Sequence, residues 1–198
     1  KITSLAKGSQ DHLAGALRLG VIPTIGPYLL PELVPILRRT APNMQLMIEE
    51  NFTGNLVPML RDGDIDVAIV ALPFAVTGVK TRTVYEEPFS VVVPEGHGWA
   101  KRKHVRPDEL AGENLLVLNA GHCFREHVLE ACPGQSNTAN PEGRSGSSLE
   151  TIRNMVASGL GVSVLPAMAL QPRYANRLVK EIAFTEPVPS RKVALAWL

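Results

Sequence analysis

Ala16-Leu17-Arg18-Leu19-Gly20-Val21-Ile22-Pro23-Thr24-Ile25-Gly26-Pro27, running on into Tyr28 to Thr40, is the stretch whose reading decides the fold. Ala16 to Ile22 reads as a short apolar strand. Pro23 to Pro27 breaks it, and Leu29, Leu30, Leu33, Ile36 and Leu37 then recur at helical spacing. Further on, Met44 to Glu49 predicts a second strand and Gly54 to Asp62 a second helix closed by Gly63. Asp66 to Ala71 reads as a continuous buried strand of the parallel-sheet kind. Strand, helix, strand, helix, strand predicts a doubly wound α/β start, with the loop Pro23 to Pro27 at the carboxyl edge where ligands bind in such sheets.

After Pro73 the pattern shifts. Phe89 to Pro94 and Leu115 to Leu118 read as strands, and Cys123 to Ala131 as a short helix stopped by Pro133-Gly134. Gln135 to Gly146 is a polar Ser/Asn/Gly loop, expected to be mobile. A helix over Ser148 to Ser158 with Ser147 or Ser148 as N-cap follows, then a strand from Gly161 to Leu165 ending at Pro166. The expected architecture is therefore α/β with two lobes. Residues 16–86 plus about 192–198 form lobe I, 87–191 form lobe II, and two strands cross between them. Residues 1–15 read as the end of a linker to a DNA-binding module that is missing here.

Composition narrows the function classes. The chain has 198 residues, 45% of them hydrophobic and 20% charged, which suits a packed core and excludes disorder, collagen and disulfide scaffolds. A net charge of +1 leaves no electrostatic footprint for nucleic acid or an anionic membrane, so this segment is not expected to grip DNA itself. For the same reason the run Lys101-Arg102-Lys103-His104, beside Trp99, reads as a solvated face rather than a phosphate patch. The longest apolar run, Val67 to Leu72, falls far short of the roughly 20 residues that span a bilayer.

The residues with reactive chemistry gather in Asn119-Ala120-Gly121-His122-Cys123-Phe124-Arg125-Glu126-His127-Val128-Leu129-Glu130-Ala131-Cys132. Cys123 opens a helix, where the helix dipole, Arg125, and His122 or His127 would favour thiolate over thiol. Cys132 comes nine residues later. In an unbroken helix it lies about 13 Å further along the axis and on the opposite face. Disulfides need Cα atoms closer than about 7 Å, so the pair would join only if the helix unwound. Four readings of these residues stand side by side: two cysteines that simply pack, a redox switch, a metal site of Cys123, His127 and Cys132, and a Cys/His hydrolase. Thr24, in the loop after the first strand, and Thr53, in the loop after the second, could each face a cleft. Their plainer roles are a turn hydroxyl and a helix N-cap.

Gly20 to Pro31, the run Gly121-His122-Cys123-Phe124-Arg125, Cys132, and Ser148-Leu149-Glu150-Thr151-Ile152-Arg153-Asn154-Met155-Val156-Ala157 together resemble the OxyR regulatory domains of the LysR-type transcription regulators. The likeness runs from about Gly15 to Leu198. It implies two periplasmic-binding-protein-like lobes with Rossmann-like sheets. It also implies a hydrogen-peroxide sensor, not an enzyme, in which Cys123 is the peroxidatic cysteine and Cys132 the resolving one. Thr24 and Thr53 match peroxide-binding hydroxyls, and His122 and Arg125 match the neighbours that shape the thiol's surroundings. No cofactor and no metal are implied. The implied partners are hydrogen peroxide, a second copy through the regulatory domain, a tetramer in the full protein, promoter DNA through the missing N-terminal domain, and thiol reductants for reset, all in a bacterial cytoplasm with no membrane. The alternative in the same family is a domain that binds a small organic effector.

Overall fold

The computed structural model describes residues 13–134 and 145–198. Most of the expected linker and most of the expected loop Gln135 to Gly146 lie outside the described residues. The chain divides into two compact units. One holds the described residues up to Val70, with Ala75–Thr81 and Leu195–Leu198, and the other holds Ala71–Phe74 and Arg82–Ala194.

The first unit follows the expected order: β1 (Gly15–Val21), α1 (Gly26–Thr40), β2 (Met44–Glu50), α2 (Thr53–Asp62) and β3 (Val67–Ala71). β1 lies between parallel partners, with Val21 opposite Glu50 of β2 and Ile69 of β3. Both crossovers are helices, as parallel pairing requires. Gly20 lets α2 sit close to β1, because a Cβ there would lie 2.5 Å from Ile65 Cδ1 and 2.9 Å from Leu56 Cδ2. Gly63 ends α2 in the left-handed region at φ 75°, the conformation that glycine adopts without strain. Leu56, Leu60, Val21, Ile25 and Val70 form the core here. The apolar face read on α1 is not covered in the same way. Ile36 is 47% exposed, and on β2 Met47 and Ile48 are 49% and 41% exposed.

In the second unit β4 (Lys80–Pro94) is the axis. It pairs antiparallel with β8 (Val162–Pro166) and with β9 (Val179–Phe184), which in turn carries β5 (His104–Val105). Beyond β8, in parallel, come β6 (Leu115–Leu118) and β7 (Ser145–Gly146). α3 (Cys123–Ala131) and α4 (Leu149–Ala157) complete the unit, and Ser148 caps α4 by accepting from the Thr151 amide at 3.1 Å. Besides the short excursion of Ala71–Phe74, the chain passes between the units within β4 and again within β10 (Ser190–Trp197).

Four strands differ from expectation, among them the two-residue β5, which begins at the end of the basic run Lys101 to His104. β4 begins at Lys80 rather than Phe89, because its first half is polar and largely exposed and carries no apolar run. β9 went unread because only Ile182 and Phe184 face inward from it. Ser145 and Gly146, expected in a loop, add a strand edge to β6.

Candidate functional site

α3 carries both cysteines, one at each end. It is entered from β6 through Asn119 to His122, a turn in which Gly121 takes φ 100°, a conformation strained for any residue with a Cβ. Cys123 is the first helical residue and is partly exposed. Cys132 stands at the C-cap with 0% exposure, and burial pushes its thiol up to about 12. Neither cysteine is in a disulfide. With the helix unbroken through Ala131, the two residues are about 13 Å apart along the axis.

Phe124 fixes the first turn of α3. Its ring is 1% exposed and meets Phe89 edge-on at 5.0 Å. On another side it meets the guanidinium of Arg191, also at 5.0 Å. Arg191 is held by Glu87 at 2.8 Å with side-chain exposures of 0% and 2%, and Glu87 accepts a further hydrogen bond from the Met168 amide. Arg191 and Glu87 escaped the sequence reading, because partners 104 positions apart leave no local signal. Arg125 donates from Nη1 to the Leu118 carbonyl at 3.0 Å, fastening α3 to the end of β6.

His122 and His127 behave differently from the expectation that an imidazolium stabilises a thiolate. His122 is 5% exposed, and its Nε2 donates to the Ser147 carbonyl at 3.0 Å. His127 Nε2 donates to the Leu72 carbonyl at 3.0 Å. Burial lowers both pKa values below the ordinary histidine value, outweighing the carbonyl bonds that raise them. Both rings are thus neutral near pH 7, and neither supplies positive charge. The Nδ1 atom of His127 is buried with no hydrogen-bond partner among the described residues.

In the first unit Thr24 is 2% exposed in the loop between β1 and α1. Thr53 does not cap α2. Phe52 holds that position, Thr53 is the first helical residue, and its Oγ1 is buried without a partner among the described residues. Because β1 and β2 are parallel neighbours, Thr24 and Thr53 both follow strands at the carboxyl edge of the sheet. Glu50, which ends β2 at the same edge, was not foreseen. Burial raises its carboxyl pKa. Among the described residues no three His, Cys, Asp or Glu side chains gather to hold a metal ion.

The pattern of the LysR substrate binding domain matches residues 10–198. Over 196 residues the chain is 35% identical to the DNA-binding transcriptional dual regulator OxyR of Escherichia coli K12, covering 99% of this chain and 64% of that protein. Among solved structures, the reduced form of the OxyR regulatory domain from Pseudomonas aeruginosa matches with TM-score 0.84 and 49% identity, over 93% of this chain and 89% of that one. A cysteine-to-serine mutant of Corynebacterium glutamicum OxyR with hydrogen peroxide bound matches with TM-score 0.88 and 32% identity, over 99% of this chain and 63% of that one. The chain thus spans just under two-thirds of the curated relatives, 65% and 64% of the first two. The expected periplasmic-binding-protein-like α/β fold is that of these OxyR neighbours. By sequence pattern and by fold, the chain belongs to the LysR substrate-binding domain family, and within it resembles the regulatory domains of OxyR.

Proposed function

We propose that this chain is the hydrogen-peroxide-sensing regulatory domain of a LysR-type transcription regulator, switched by oxidation of Cys123 and a disulfide from Cys123 to Cys132. The observation that carries the reading is the placement of two cysteines, neither in a disulfide, at opposite ends of one nine-residue helix. The Cys123 thiolate attacks one peroxide oxygen, forming an S–O bond as the O–O bond breaks. The departing hydroxide takes up a proton to leave as water, and Cys123 becomes the sulfenic acid. The Cys132 thiolate then attacks that sulfur, an S–S bond forms and a second water leaves. Since burial keeps the Cys132 thiol protonated, the second step needs α3 to open first. Thr24 and Thr53 are the proposed peroxide-binding hydroxyls, a role supported by the buried Thr53 Oγ1, which has no partner among the described residues. His122 and Arg125 hold the turn from which Cys123 projects.

Around this chemistry we place a regulator in a bacterial cytoplasm. It has promoter DNA bound by an N-terminal module, reset by thiol reductants, a dimer through this domain and a tetramer of the whole protein. The uncovered apolar residues Ile36, Met47 and Ile48 on α1 and β2 support the dimer. Among the described residues no helix is long and apolar enough to cross a membrane.

Mass spectrometry after one equivalent of hydrogen peroxide tests the reading. A Cys123–Cys132 disulfide is expected, and Cys132→Ser is expected to stop at a trappable Cys123 sulfenic acid. Cysteines left unmodified would turn the reading toward a domain that binds a small organic effector.

A further inference from the structure

We propose that His127 is the proton acceptor for the Cys123 thiol during attack on peroxide. This rests on the function proposed above and adds a residue to it. Three observations converge on the ring. His127 lies four positions after Cys123 on α3, so the two share a helix face with Cβ atoms about 6 Å apart. Helical side chains lean toward the N-terminus, which brings His127 back over the turn that begins at Cys123. The ring is also locked in one tautomer. Nε2 donates to the Leu72 carbonyl at 3.0 Å, so the lone pair of the neutral ring is on Nδ1. That Nδ1 is buried and has no hydrogen-bond partner among the described residues, Cys123 Sγ included, so the proton passes only when the thiol swings toward the ring; an unpaired buried nitrogen is rare enough in folded proteins to need an explanation.

A nucleophile, a base one turn away and a third group that orients the base make up the usual arrangement for activating a thiol. Here the orienting group is the backbone carbonyl of Leu72. Attack needs the thiolate, so the thiol proton must have somewhere to go. His127 Nδ1 takes it from Cys123 Sγ. The sulfur then bonds to one peroxide oxygen, which keeps its hydrogen, while the O–O bond breaks. The departing hydroxide takes the proton back from Nδ1 and leaves as water, so the ring ends neutral as it began. The charged groups facing the ring are Arg191 from β10, which disfavours a protonated ring, and Glu126 and Glu130 on α3 itself, which favour one. Burial outweighs both carboxylates and keeps the acceptor open near neutral pH.

The test measures the rate of Cys123 sulfenic acid formation in the Cys132→Ser chain between pH 5.5 and 8.5, with His127 intact, with His127→Gln and with His127→Leu. Glutamine can still donate an N–H to the Leu72 carbonyl but is no base, so His127→Gln should keep the melting temperature and lose at least tenfold in rate at pH 7. His127→Leu should lose both. With His127 intact, the rate should fall as pH drops through a titration below the ordinary histidine value, a readout that needs no substitution at His127. If His127→Gln reacts within twofold of the intact chain and follows the same pH profile, or if the intact chain shows no such acid limb, His127 only fastens the helix and the proposal fails. If Cys123 gives no sulfenic acid at any pH even with His127 intact, the peroxide-sensing reading falls, and this proposal falls with it.

Discussion

Thr53 has a hydroxyl shut away from water with no bond in return among the described residues, a condition that costs on the order of 1–3 kcal/mol unless something uses it. In the proposed sensor, that use is a hydrogen bond to peroxide. Thr53→Val keeps the shape and removes the donor, so peroxide oxidation of Cys123 should slow by roughly tenfold or more. Since Thr53 caps nothing, the melting temperature should hold or rise. A drop in melting temperature with an unchanged rate would return Thr53 to a structural part. The sequence flagged this residue for the site but misread its place in α2, because a Thr before a helical run looks the same at N-cap and one position on. The partners of His127 and Arg191 had no local signature. Leu72 and Glu87 lie far away in the chain, and only the fold brings them near.

At the scale of the element, α3 was legible at both ends, since Gly121 before it and Pro133-Gly134 after it mark where a helix can start and stop. What the sequence did not reveal is how its first turn is held. Phe124, wedged between Phe89 and the buried Arg191–Glu87 pair, ties the helix to β4 and β10. Joining Cys123 to Cys132 requires part of this helix to melt. Amide hydrogen exchange across Cys123 to Ala131 should therefore accelerate sharply on oxidation, while Val67 to Ala71 stays protected. Identical exchange in the reduced and disulfide forms would show that the helix does not open. β4 and β9 were the elements least visible in advance, because half-exposed strands alternate too weakly to be told from loops.

For the whole molecule, buried histidines set an acid limit on stability. His122 and His127 are held neutral in the fold, with pKa values below the ordinary one, while in the unfolded chain each titrates near 6.5. Above that value both states are neutral and the histidines give no slope. Below it the unfolded chain takes up protons that the fold does not, so stability should be lost as pH falls. Melting temperatures should be level from pH 8 to 7 and decline from pH 6.5 toward 5.5. Replacing both residues, as His122→Asn with His127→Gln, should flatten that decline. An equally steep decline in the double variant would assign it to other groups. The order of strands and helices in the first unit was readable because apolar residues recur along its elements and Pro23, Pro42, Gly63 and Pro73 punctuate them. The second unit was less so, because its sheet is built from strands distant in sequence.

One consequence of placing both thiols on a single helix is electrical. In the proposed switch, reducing the disulfide would let α3 re-form, so the stability of the helix would enter the midpoint potential of the couple directly. About 1.4 kcal/mol of helix stability corresponds to about 30 mV in a two-electron couple. Glu130 is exposed on α3, and Glu130→Gly should weaken the helix by roughly 0.5–1 kcal/mol. That makes the re-formed helix a poorer reward for reduction, and the midpoint should move about 10–20 mV more negative, as read against a glutathione buffer series. A midpoint unmoved by a destabilised α3 would mean that the helix is intact on both sides of the couple. If the midpoint moves as expected, exposed residues of α3 that bear no sulfur tune the oxidant level at which the chain switches, adjusting a voltage through helix propensity alone.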